Sequence, residues 1–89
     1  GPPIMAYFVY LLISKHNNNY ISYVGCTNNL QKRVNLHNNS KGAKFTRGRH
    51  WKIAYSKKYD TKSLALQEEY KLKKNYSLRN EIKKKFNIK

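Results

Sequence analysis

The chain has 89 residues, 39% of them hydrophobic and 13% aromatic, which suits one small folded domain and leaves little core for a second. Nineteen Lys and Arg against four Asp and Glu give a formal charge of +15, so a polyanionic partner is the natural reading: nucleic acid first, an anionic membrane surface second. A single cysteine, Cys26, excludes an intrachain disulfide and a cysteine-based zinc module.

The longest apolar run, Ile4 to Ile13, reaches about half the ~20 residues that a membrane span needs. It lacks a basic leader and reads as a strand rather than a signal peptide, which makes an intracellular location the expectation. Gly1-Pro2 looks like a protease-cleavage scar, so residues 1–4 read as a remnant, Met5 as the native start and 5–89 as the single domain.

Tyr7 to Ile13 alternates with apolar or aromatic residues on both faces, which predicts a central strand. A polar turn at Lys15 to Asn19 leads into a second strand, Tyr20 to Cys26, so the two should pair as an antiparallel hairpin. That pairing would bring Tyr10 and Tyr23 into one neighbourhood. Gly25 near the end of the second strand lets another backbone or a ligand come close.

Asn28, with Gln31 three residues on, reads as the capping box of a first helix. Leu30 and Val34 form its buried stripe. Arg33 and His37, four residues apart, share one face at the border of that stripe. A Gly-, Lys- and Arg-rich loop follows from Lys41 to His50 with no apolar period. Trp51, Ile53 and Tyr55 alternate as a third strand. Asp60 or Thr61 caps a helix running to about Lys74, with Ala65, Glu69, Leu72 and Tyr76 facing inward and Leu66 and Tyr70 flanking them. Ser77 caps a last helix, with Leu78, Ile82 and Phe86 inward and Lys83-Lys84-Lys85 on the solvent side. The chain therefore predicts an α+β fold, a small three-stranded, mainly antiparallel sheet flanked by about three helices.

Glu69 occupies a position where the helical pattern asks for a hydrophobe. A carboxylate sits there only when paired or bound to a metal. The bland reading is an internal salt bridge; the functional one is a ligand for a single Mg²⁺ or Mn²⁺, completed by phosphate oxygens and water. Glu68, about 100° around the helix, faces solvent. Four acids in the whole chain argue against a site built on two metals and several carboxylates.

In this order the residues resemble the GIY-YIG nuclease superfamily. Phe8-Val9-Tyr10 stands as the first motif and Tyr23-Val24-Gly25 as the second, followed by Arg33, His37 and Glu69. The resemblance runs from about Tyr7 to Lys74. The segment from His37 to Arg47 is similar to small single-domain bacterial members, and Ala65 to Glu69 to the nuclease that cuts Holliday junctions and flaps. Phe8 departs from the glycine usual in the first motif. The zinc-binding RING domain of the eukaryotic junction nuclease and the recognition domains of homing and restriction members have no counterpart in these residues.

The resemblance implies one-metal hydrolysis of a DNA phosphodiester to 5′-phosphate and 3′-hydroxyl ends, in branched DNA and so in repair or recombination. Tyr10 would be the general base and His37 its rival or an orienting group, with positive charge from Arg33 and the metal favouring the Tyr10 phenolate. Tyr23 would hydrogen-bond phosphate or water, Arg33 would stabilise the phosphoryl charge, and Glu69 would hold the ion. Lys41, Lys44, Arg47, Arg49 and Lys52 are the expected DNA-backbone contacts, with Trp51 or His50 stacking on an unpaired base. Symmetric cutting of a junction suggests a homodimer, with no membrane and no small-molecule cofactor. The other readings are a nicking or single-strand nuclease of the same family and a non-catalytic basic nucleic-acid-binding module. Taken singly, Tyr10 and Tyr23 read as core aromatics, and Arg33 with His37 as a solvated helix face.

Overall fold

A computed structural model describes residues 6–88; the expectations for residues 1–5 lie outside it. The described chain runs β1 (Tyr7–His16), β2 (Asn19–Thr27), α1 (Leu30–Asn38), β3 (Lys52–Tyr59), α2 (Lys62–Lys74) and α3 (Tyr76–Ile88), with one 3-10 turn at Lys44–Thr46. The strands form one antiparallel sheet in the order β2-β1-β3, so β1 is central, as its two apolar faces require. This is the expected α+β fold.

The β1–β2 hairpin is longer than its apolar run. Pairing continues to His16 opposite Asn19, which leaves Asn17 and Asn18 as a two-residue turn. Asn17 sits at φ 56°, a left-handed backbone that asparagine tolerates better than most residues. Register fixes the rest: Tyr10 lies opposite Gly25 and Leu12 opposite Tyr23, so both tyrosines point from one face on a diagonal.

The opposite face of β1 buries Val9, Leu11 and Ile13 with Val24 of β2 and Ala65 and Leu72 of α2; Ile82 and Phe86 of α3 pack against this cluster. On the tyrosine face, Tyr10 and Leu12 pack with Val34 of α1 and Trp51. One apolar cluster thus holds the long helices, and the other holds α1 and the approach to β3.

Several local readings are corrected. The α1 cap is Asn29, whose Oδ1 accepts the Lys32 N–H at 3.1 Å, while Thr27 Oγ1 accepts the Asn29 N–H. Gln31 is therefore outside a capping box and bonds Asn35 instead. The third strand begins at Lys52, and a bulge at Ala54 breaks its alternation: Leu11 faces Tyr55 but Leu12 faces Ile53. The extra residue sends Trp51 and Tyr55 into different clusters and leaves Ile53 exposed. Asn75, not Ser77, caps α3 by accepting the Leu78 N–H. Because α2 stops at Lys74, Tyr76 leaves the inner face of α2, and it is 65% exposed. Tyr70 is exposed on α2 as well, under the Lys74 ammonium. Thr61 does cap α2, accepting the Leu64 N–H.

Candidate active site

The tyrosine face of the sheet carries a chain of buried polar groups. The Tyr10 hydroxyl lies 3.1 Å from His37 Nε2, and His37 Nδ1 lies 2.8 Å from Thr46 Oγ1. Thr46 Oγ1 is also 2.7 Å from the Ala43 carbonyl, which can only accept. The single threonine proton therefore goes to Ala43, and its oxygen must accept from His37 Nδ1–H. Nε2 then holds the lone pair and accepts the Tyr10 O–H. The order of donation is fixed as Tyr10 to His37 to Thr46 to Ala43.

Two glycines make this chain possible. A methyl group at Gly25 would overlap the Tyr10 phenol, and one at Gly42 would overlap the His37 ring. Gly25 thus serves close approach, here of the chain's own tyrosine. Tyr10 is 1% exposed, and His37 is fully buried rather than at the border of the α1 stripe. His37 follows Val34 into the interior because Thr46 meets its far nitrogen.

Burial governs the protonation states. It pushes the Tyr10 phenol above its ordinary value, and the neighbouring Arg33 cation only partly opposes this. Burial first, and then Arg33, push His37 below 6.5. Both groups are neutral at physiological pH, as the order of donation requires. Arg33 by itself therefore does not offset the desolvation of Tyr10.

Arg33 joins this chain to the opposite face of the sheet. Its guanidinium lies near Tyr10 and Tyr23, and these phenols, Tyr10 foremost, raise its pKa. It also lines an open groove of about 350 Å³ with Tyr7, Cys26, Thr27, Lys62 and Glu69. Glu69 is inward: its side chain is 18% exposed, and its one ion pair among the described residues is Lys73 at a marginal 3.8 Å. That contact, to a lysine 54% exposed, is too solvated to hold the carboxylate. Glu68 pairs with Lys71 and lies outside this groove. Burial, then the Glu69 charge, push the Cys26 thiol up, so it stays protonated.

Among the described residues no three His, Cys, Asp or Glu side chains converge as metal ligands. The chain therefore offers one carboxylate in an open groove beside a guanidinium. That donor set fits a hard divalent cation whose remaining ligands are water and phosphate oxygen, and does not fit a closed protein cage.

The structure brings Tyr10, Tyr23, Arg33 and His37 together, and Glu69 lines the same groove as Arg33. Tyr23 is half-buried, edge-on to His37 with ring centroids 5.0 Å apart, so it is the more open of the two phenols. Of the basic loop, Lys41, Lys44, Arg47 and Lys52 are exposed, and Arg49 is partly covered. Trp51 is 1% exposed and its indole N–H donates to the Thr46 carbonyl, so it stacks on nothing from outside; His50 is exposed. Thr46 is the residue that sequence reasoning missed. A small polar side chain in a basic loop carries no signal until loop closure brings it to His37.

Comparison with known proteins places the chain in a family. A family model described as the GIY-YIG catalytic domain matches residues 6–85. A UPF0213 protein of Oceanobacillus iheyensis is 44% identical over 68 residues, covering 75% of this chain and 76% of the relative. UPF0213 proteins of Clostridium perfringens (44% over 68 residues; 75% and 70%) and Bacillus subtilis (41% over 69 residues; 76% and 67%) are similar along comparable stretches. No solved structure matches.

Proposed function

Because this chain belongs to the GIY-YIG catalytic-domain family, we propose that it is a divalent-metal-dependent endonuclease that hydrolyses phosphodiesters in branched DNA. The observation that carries the reading is the placement of Arg33, which lines one groove with Glu69 and lies close enough to both phenols to feel them electrostatically. A phosphate entering that groove meets a fixed planar cation whose fork matches two of its oxygens. Glu69 is the residue to hold one Mg²⁺ or Mn²⁺. When bound there, such an ion supplies Lewis-acid polarisation of the phosphate and its leaving oxygen.

The roles of the two tyrosines follow from depth. Tyr10 is sealed under Gly25 and already donates to His37. We assign it, with His37 and Thr46, to holding Arg33 and the Tyr23 ring in place. Tyr23 is the phenol able to meet water, and we give it the base's part. In its phenolate form, the species this role requires, it takes the proton of the attacking water and becomes the neutral phenol. The new P–O bond forms in line, and the bond to the 3′ oxygen breaks. Protonated from solvent, that oxygen leaves a 3′-hydroxyl opposite a 5′-phosphate. On this assignment Tyr23→Phe slows cleavage by roughly 100-fold or more, whereas Tyr10→Phe acts by loosening the site.

The net charge of +15 attracts any DNA backbone, and the resemblance of the segment from Ala65 to Glu69 to the nuclease that cuts junctions and flaps is what favours branched substrates. The test compares rates on a four-way junction, a flap, a single strand and a linear duplex in Mg²⁺. Faster cutting of junction and flap supports the proposal; equal rates on all four end the claim of structure selectivity.

A further inference from the structure

Phe45 is a large apolar side chain left 52% exposed in the middle of a basic loop. Its backbone is nonetheless firmly placed. Thr46, the next residue, is fully buried, bonded through its hydroxyl to His37 and through its carbonyl to the Trp51 indole. The loop could have turned Phe45 inward only by giving up that chain. The ring instead lies nearly parallel to Tyr23, at 20° with centroids 6.3 Å apart, and 6.2 Å from Trp51. The Arg49 guanidinium carbon is 5.6 Å from its centroid. Lys44 and Arg47, exposed on either side, surround it with positive charge.

We propose that Phe45 and Arg49 form a stacking platform for one unpaired nucleobase beside the cleavage groove. A base offers a flat π-face to the phenyl ring and guanidinium, and its flanking phosphates meet Lys44 and Arg47. A duplex keeps its bases stacked on each other and offers no such face, so the platform discriminates unpaired from paired DNA. Because Phe45 leans on Tyr23, the captured nucleotide would lie next to the phenol assigned to water. The DNA partner rests on the nuclease reading; the stacking itself does not require cleavage.

The experiment is binding in chelator of a fluorescent thymidine oligonucleotide of roughly twelve residues, its base-free abasic counterpart and a duplex. These are titrated with the wild type, F45A, F45L and F45W, each shown by thermal melting to be folded. The expected result is a roughly 5- to 100-fold loss of affinity for the thymidine oligonucleotide in F45A and F45L, near-wild-type affinity in F45W, and little change for the abasic chain or the duplex. Equal affinity of wild type, F45A and F45L for the thymidine oligonucleotide overturns the platform. Should the wild type cut no DNA while F45A still loses oligonucleotide affinity, the nuclease reading fails and the platform stands.

Discussion

A threonine hydroxyl has one proton to give, and at position 46 it goes to the Ala43 carbonyl, which obliges the oxygen to accept from His37. Thr46→Val removes that acceptor while keeping the shape, and strands a buried N–H. We expect it to cost about 1–3 kcal/mol in denaturant unfolding, with Thr46→Ser recovering most of the loss. His37 also makes stability depend on pH in a definite direction. Its folded pKa lies below 6.5, so the unfolded chain binds the proton more readily there and stability falls as pH drops below that value. Tyr10, raised above 10.0, contributes stability that is present below 10.0 and is lost as pH rises from there through its own shifted value. Unfolding midpoints at about pH 7.5 and about pH 5.5 should differ more for the wild type than for His37→Gln. Equal differences contradict a neutral buried imidazole.

At the scale of elements, the start of α1 shows what a sequence can and cannot locate. Thr27, Asn28 and Asn29 are all capable caps, so the existence of the helix was legible and its first residue was not. The structure gives the cap to Asn29. Asn29→Ala should therefore cost about 0.5–2 kcal/mol, and Asn28→Ala within about 0.5, by chemical denaturation. A reversed order contradicts the assignment. The hairpin was legible because alternation and a polar turn define it locally. The Ala54 bulge was not, since it depends on how β3 meets β1, and it decided that Trp51 is core. In the site, Arg33 and His37 sharing a face followed from spacing alone. Their depths did not: His37 is buried by a loop that closes on it from Gly42 to Thr46. Gly42→Ala should thus destabilise by about 1–3 kcal/mol through overlap with the imidazole.

The whole molecule is a small sheet with a cation-rich surface, in which Arg33 connects a sealed hydrogen-bonded chain to an open groove holding one inward acid. Its charge predicts DNA binding that weakens steeply with salt, as a linear fall of log affinity against log salt concentration. Charge alone would serve a binding module equally well; the separating feature is Glu69, which binding to a polyanion does not need and hydrolysis does. The most direct measurement is Mg²⁺-dependent cleavage of a labelled four-way junction by the wild type and by Glu69→Gln, with binding followed separately in chelator. The account predicts that the wild type cuts and that the variant loses roughly 100-fold or more of the rate while binding the junction at least as tightly. A wild type that binds but does not cut, or a Glu69→Gln variant that cuts as fast, contradicts it.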